Sequence, residues 1–296
     1  MPIVIAEAVA PVASWRPPEA LTYHRTLPLP PYTALVGVVG AALGLELSNA
    51  YRFISEHGLR LGVGGWPEGR ARDLWKYQKL ESIAEGKEIK SDVLLREQWI
   101  DIRLVFVIEC VDDATAKVVE NAMRRPSYPL TAGMSDALLK VVAVRVDHTP
   151  PQSSRRLAFS MIYGELPPMY KLAEDLDKIP LSRVIHAPSV ERLPTGFVFD
   201  PGDPRRLSGR DLVTFVSDPI ELDDVVEPVT GYAVEPLSRL LRESHTFQVL
   251  KEVRPWIIPV HRYDSVRQEE AASSTTPSPK GKTVPKVKKD NRTGGT

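Results

Sequence analysis

Residues 15–46 read WRPPEALTYHRTLPLPPYTALVGVVGAALGLE, an aromatic and basic loop that runs straight into a helix of unusual character. At 100° per residue, Ala34, Gly37, Gly40, Ala41 and Gly44 share one narrow face, and Leu35, Val36, Val38, Val39, Leu43 and Leu45 fill the rest. The helix is sorted by size rather than by polarity. Its bulky side suits a core, and its small side admits another backbone or a ligand. Each glycine costs about 1 kcal/mol of helix stability against alanine, so a face that carries three of them is expected to be used.

Working outward, Pro31 opens the helix at a position where a missing N–H does no harm, and the spacing predicts helix over 32–45 and again over 49–57. Upstream, residues 2–14 alternate as a strand with Ile3, Ile5, Glu7 and Val9 on one face. Downstream, 58–64 reads as a short strand and 65–98 as a polar, charged excursion in the form of an extended hairpin. Residues 99–110, WIDIRLVFVIEC, are the clearest strand, with Ile102, Leu104, Phe106, Ile108 and Cys110 facing one way. Asp112 or Asp113 caps a helix over 114–123, and 138–147 forms another strand.

The order is β-α-β-β-α-β, the ferredoxin-like (RRM-like) plan of an α+β protein, with 65–98 inserted between its second and third strands. Residues 1–149 form that domain. Residues 150–264 contain the strand-like runs LAFSMIY, GFVFD, LVTFVS and WIIPVHRYD and a helical stretch over 234–250, and are expected to form a smaller β-rich unit packed on the first. Residues 265–296 turn to Ser, Thr, Pro, Gly and Lys and are expected to be disordered.

The formal net charge is zero, but residues 266–296 hold seven Lys/Arg and three Asp/Glu, which leaves 31 basic against 35 acidic residues elsewhere. A body of that charge binds nucleic acid through a local groove or within an assembly, not by a general positive coat. The lone Cys110 excludes an internal disulfide framework and fits a reducing, cytoplasmic setting. The start MPIVIAEAVAPVAS lacks the basic beginning of a secretory signal, and the apolar run 32–45 is shorter than the roughly 20 residues a bilayer needs. No membrane partner is expected. Six dispersed histidines offer no metal-ligand spacing, so no metal and no cofactor are expected.

Three constellations carry chemistry. Trp15, Arg16, Tyr23, His24 and Arg25 pair aromatics with arginines at a strand end, where they can stack a base and hold a phosphate. The other reading is a loop whose rings cover the edge of the core, and composition alone favours it. The loop from Arg124 and Arg125 to Gly133, Ser135 and Asp136 exposes backbone N–H groups around a glycine, which suits phosphate oxygens. It also reads as an ordinary connection with arginines at a helix end. In 65–98, Trp66, Trp75 and Tyr77 interleave with Arg70, Arg72, Lys76 and Lys79, as in single-strand binding surfaces, while acidic neighbours leave a protein contact equally open. Catalytic sets are poor. Tyr23 and His24 are the best nucleolytic candidates, with Lys117 a distant one. The tail lysines of 280–289 read as a solvated segment with weak attraction to nucleic acid.

Two of these segments carry a resemblance. Trp15-Arg16-Pro17, Leu21-Thr22-Tyr23 and Pro30-Pro31-Tyr32-Thr33-Ala34-Leu35-Val36-Gly37, continuing to Gly44-Leu45, together with Pro126 to Asp136, resemble the Cas five family of CRISPR-associated proteins, members of the RAMP superfamily found in type I Cascade complexes. The resemblance implies a non-catalytic RNA-binding subunit that holds the 5′ handle of CRISPR RNA (crRNA) and caps the backbone of the surveillance complex. Its implied partners are the crRNA, the repeated backbone subunit and the large subunit, with target DNA reached through the complex in antiviral defence. Residues 65–98 sit where the family's thumb hairpin would be. The implied RNA contacts are Trp15, Arg16, Tyr23, His24, Arg25, Arg124, Arg125, Gly133 and Ser135, with Gly37 and Gly40 on the close-approach face. One branch of the family cuts repeat RNA with a lysine–histidine pair at the start of its second helix. This chain has Asp112-Asp113-Ala114-Thr115 there, so no processing activity is expected. The alternative is a metal-independent endoribonuclease acting through Tyr23 and His24.

Overall fold

The computed structural model describes residues 1–20, 23–78, 91–172, 186–199, 206–244 and 256–262. Leu21 and Thr22, the tip of the expected hairpin, the end of the expected 234–250 helix and the tail expected to be disordered lie outside the described residues.

Strand β1 (Ile3–Ala13) and the short β2 (Tyr23–His24) precede helices α1 (Tyr32–Leu43) and α2 (Leu47–Glu56). Strands β3 (Arg60–Gln78) and β4 (Ser91–Glu109) are followed by α3 (Asp113–Arg124) and β5 (Lys140–Asp147). The second half adds β6 (Gln152–Ser154), β7 (Arg156–Leu157), β8 (Ser160–Tyr163), β9 (Tyr170–Leu172), β10 (Ser189–Val198), β11 (Arg206–Val216), β12 (Ile220–Leu222), β13 (Val229–Ala233), α4 (Arg239–Arg242), β14 (Ile257–Ile258) and β15 (His261–Arg262). The fold is α+β, and its main sheet runs β10-β11-β8-β3-β4-β1-β5, with β15 also on β3 and β2 on β4. Within it β2–β4 is parallel, whereas β1–β4, β3–β4 and β1–β5 are antiparallel.

The alternation of β4 explains its nearly continuous apolar sequence. Ile102, Leu104, Phe106, Ile108 and Cys110 enter a core built with Leu35, Val36 and Val39 of α1, Ile54 of α2 and Val119 and Met123 of α3. Val105 and Val107 point the other way, into a second core with Ile3, Ile5, Trp66, Phe159, Tyr232 and Trp256. The sheet is thus covered on both faces. The second half is β-rich, but it does not stand apart: β8 and β15 pair with β3 and extend the same sheet. Two buried carboxylates fasten it. Glu7 accepts from Leu237 N–H and Ser238 N–H, both at 2.7 Å, and from Arg145 at 3.0 Å. Glu109 accepts from Arg60 at 3.2 Å and from the Tyr232 hydroxyl at 2.5 Å. Each charge has its donors, which offsets the cost of desolvation.

Asp112 caps α3 by accepting from Thr115 N–H at 2.7 Å, as its position ahead of the apolar run predicts. The strand expected at 58–64 is much longer: β3 pairs with β4 residue by residue out to Gln78–Ser91. Both ladders step over Asp101, whose φ is 50°, with Pro11 and Glu68 opposite it. Proline has no N–H to give a ladder, so the interruption falls where least is lost. No single helix among the described residues is long and apolar enough to cross a membrane, and α1 and α2 meet at 97°.

Candidate nucleic-acid interface

Two segments more than 100 residues apart in the chain interlock at the end of β1. Ser14 N–H donates to Ala132 C=O at 3.1 Å. Gly133 has φ 92°, and a Cβ there would sit 2.1 Å from Ser14 O and 2.7 Å from Trp15 Cδ1. Only glycine lets the two backbones approach this closely. Trp15 itself is 4% exposed and belongs to the main core. Its N–H donates to Thr26 Oγ1 at 3.0 Å and its C=O accepts from Leu27 at 2.8 Å. The base-stacking role expected of Trp15 therefore lacks an open ring face; the tryptophan pins the loop to the core.

A second interlock lies at the end of α1. Gly44 adopts φ 76°, its N–H reaches Ala41 C=O, and Leu45 N–H reaches Gly40 C=O at 2.8 Å, the glycine-terminated helix end. Ser127 and Tyr128 N–H groups cover the Ala42 and Ala41 carbonyls at 3.0 and 3.2 Å, groups a helix end otherwise leaves unpaired. The small face divides in two. A Cβ on Gly40 would lie 2.6 Å from the Ala50 Cβ of α2, so the close neighbour expected for Gly40 belongs to this chain, not to a ligand or another subunit. A Cβ on Gly37 would meet nothing within 4 Å, and that part of the face is open.

The polar side chains sort in the same way. Arg25 is committed to Glu191 of β10 through two bonds of 2.5 and 2.7 Å. Arg124 is held by Glu120 at 2.7 Å and by Val144 C=O at 2.9 Å. Arg16 is exposed, and its Nη1 lies 3.1 Å from His24 Nε2. A guanidinium only donates, so Nε2 accepts and the proton of neutral His24 is on Nδ1. Arg125 is exposed, with no ion pair among the described residues. Ser135 is exposed as well. Between α1 and α3, Ala42, Leu43, Asn121, Arg124, Arg125 and Ser127 line a depression of about 690 Å³, where small side chains and guanidinium groups meet. Backbone and arginine of this kind can seat a phosphate and its sugar.

Glu97 of β4 organises the loop and has no counterpart in the sequence reading. It is 1% exposed and accepts from the Tyr23 hydroxyl, the Arg70 guanidinium and, at 3.2 Å, Thr26 N–H. Burial pushes its carboxyl up, but these hydrogen bonds and the Arg70 charge outweigh that and hold it below the usual carboxylate range. The same bond, with burial second, raises the Tyr23 phenol. At the start of α3, where a lysine–histidine pair was the expected sign of cleavage, Asp112 is the cap and Lys117 pairs with Glu120 at 2.8 Å.

The interlocked segments both fall within residues 3–169, and those residues match the family described as "CRISPR-associated protein (Cas_Cas5)". The chain belongs to the Cas5 family. Among solved structures, the Cas5 chain is similar to "Crystal structure of Cas protein", at 20% identity over 45% of this chain and 57% of that one, with a TM-score of 0.30; this chain thus spans little more than half of that protein. It is similar to a chain of a "CRISPR RNA-guided surveillance complex" at 17% identity over 73% and 90%, TM-score 0.41. It is also similar to a CRISPR protein from Archaeoglobus fulgidus at 11% identity over 88% and 100%, TM-score 0.41. No curated protein matches. Glu97 and Glu191 escape a sequence reading, and Arg70 is read there as a nucleic-acid contact and not as a partner of Glu97, because each acts on a residue far along the chain. The one available signal is phase: Glu97 shares a strand face with Leu95 and Trp99.

Proposed function

We propose that this Cas5 protein is a non-catalytic RNA-binding subunit of a type I CRISPR surveillance complex, in which it holds the 5′ handle of crRNA and caps the backbone beside the repeated subunit and the large subunit. The observation that carries the reading is the interlock of Ser14–Trp15 with Ala132–Gly133. It builds one surface from the two segments on which the resemblance rests, with Arg16, Arg125 and Ser135 exposed on it. The strand order β3-β4-β1-β5, with helices between β1 and β3 and between β4 and β5, supports a ferredoxin-like scaffold. Gly37 offers open backbone beside it. Arg25, Arg124 and Gly133 act by shaping the surface, and Trp15 by anchoring it. A handle of constant sequence rewards contacts to base edges, whereas the variable guide has to be held by its backbone.

The absence of cleavage belongs to the same proposal. The Tyr23 phenol is raised, bonded as it is to Glu97, which opposes a base role, and the Nε2 lone pair of His24 is taken by Arg16. The test is to incubate the purified chain with labelled repeat RNA in EDTA. Binding without cleavage is expected, with affinity and salt slope both lowered in Arg16→Ala and Arg125→Ala. Specific cleavage abolished by His24→Ala would replace the proposal with a metal-independent processing endoribonuclease.

A further inference from the structure

The hairpin of β3 and β4 carries aromatic residues that the reading above leaves unused. Its strands pair without a break from Gly69–Ile100 to Gln78–Ser91, so residues two apart share a face. Asp73, Trp75 and Tyr77 share one, directly across from Arg96, Leu94 and Asp92. On it the rings of Trp75 and Tyr77 stack with centroids 5.7 Å apart and planes 28° from parallel. The Arg96 guanidinium lies 5.5 Å from the Trp75 ring centroid. Arg96 is held there by Asp73 at 3.0 Å and reaches Asp136 at 3.7 Å. Asp136 follows Ser135 in the second interlocked segment, so the aromatic pair continues the proposed RNA surface. The tryptophans differ sharply in exposure: Trp15, Trp66 and Trp256 are 4%, 0% and 5% exposed and Trp99 is half-buried, against 43% for Trp75.

We propose that Trp75 and Tyr77, with Arg96 fixed over the indole, form a stacking platform for an unpaired nucleobase of a single-stranded RNA whose neighbouring nucleotides lie on the Arg16–Ser135 surface. The proposal rests on the RNA-binding reading and adds a base site to it. Aromatic faces accept any base, and a guanidinium adds a cation–π contribution. Arg96 has its own carboxylates, so it does not need a phosphate to stay in place. Exposed Arg72 and Lys76 alternate with the aromatic residues along β3 and so lie on the other face of the hairpin, outside the platform.

The test compares two labelled strands of equal length, an oligouridylate and an abasic ribose-phosphate polymer, which carry the same charge and differ only in bases. With the full chain, Trp75→Leu is expected to weaken the oligouridylate about five- to tenfold and leave the abasic strand unchanged, while Trp75→Phe keeps most of the affinity. Tryptophan fluorescence should be quenched by the oligouridylate in the wild type and not in Trp75→Leu. Arg125→Ala should weaken both strands alike. Equal weakening of both strands by Trp75→Leu, or no effect on either while Arg125→Ala weakens both, would overturn the platform and leave the RNA reading standing. If the wild type binds neither strand, the RNA reading fails and takes the platform with it. Unchanged RNA affinity with lost retention of another protein subunit would assign the aromatic pair to a protein contact, against the proposal.

Discussion

Removing the Glu97 carboxylate should loosen the loop between β1 and α1 without touching the core. In Glu97→Ala, Thr26 N–H loses its acceptor in a place where Thr26 is only 7% exposed, and a buried donor left unpaired costs about 1–3 kcal/mol. The Arg70 side chain is 48% exposed; it recovers water and adds little, since pairs at such exposure are worth about 0–1 kcal/mol. The expected loss is about 2–3 kcal/mol, or roughly 4–12 °C in Tm for a fold of this size. Glu97→Gln keeps an acceptor but turns an amide toward donors, so it should lose somewhat less. The sign with pH follows from the lowered carboxyl. A carboxylate with a depressed folded value contributes stability above its unfolded value, about 4.3, and loses it as pH falls through the folded value. The gap between wild type and Glu97→Gln should therefore be full at neutral pH and close in acid. Thermal melts across that range, with hydrogen exchange at the Thr26 amide, measure it. A Tm within about 1 °C of wild type at neutral pH, or a gap that widens in acid, would refute the reasoning.

Other expectations concern the glycines and arginines. Gly40→Leu should destabilise the isolated chain by about 1–3 kcal/mol, because its Cβ falls 2.6 Å from Ala50 Cβ; a normal melt for the free subunit would contradict this. Gly133→Ala should cost about 1–2 kcal/mol from its φ of 92° alone, with the contact to Ser14 O adding to it, whereas Gly37→Ala, with open space around it, should stabilise by about 0.5–1 kcal/mol; denaturant titration of the two side by side distinguishes them. Arg124→Ala should lower stability with its Glu120 and Val144 contacts, while Arg125→Ala should leave the melt unchanged and reduce the salt slope of RNA binding by about one contact.

Much of the scaffold was readable because it is locally encoded. Asp112 ahead of an apolar run marks α3, Pro31 and a size-sorted run mark α1, and the alternation of Ile102, Leu104, Phe106 and Ile108 marks β4. What local pattern does not carry is pairing across the chain. The polar outer half of β3 owes its strand form to β4, and β8 and β15 join β3 through contacts that no periodicity announces. The site divides along the same line. A tryptophan beside an arginine looks alike whether it stacks a base or plugs a core, and only the packing of Gly133 against Trp15 decides. Gly40 and Gly37 are equivalent on a helical wheel, yet one meets α2 and the other faces open space. Glu97 reads as one acid in a charged run until Tyr23, Thr26 and Arg70 converge on it.

The central claim is that this Cas5 chain grips the constant 5′ end of a guide RNA. Photo-crosslinking of assembled complexes carrying 4-thiouridine at successive handle positions, with the attached peptides identified by mass spectrometry, tests it directly. Handle crosslinks to the segment around Arg16 and to that from Arg125 to Asp136 are the expected result. A handle that crosslinks only to other subunits, with this chain unmarked, would contradict the account.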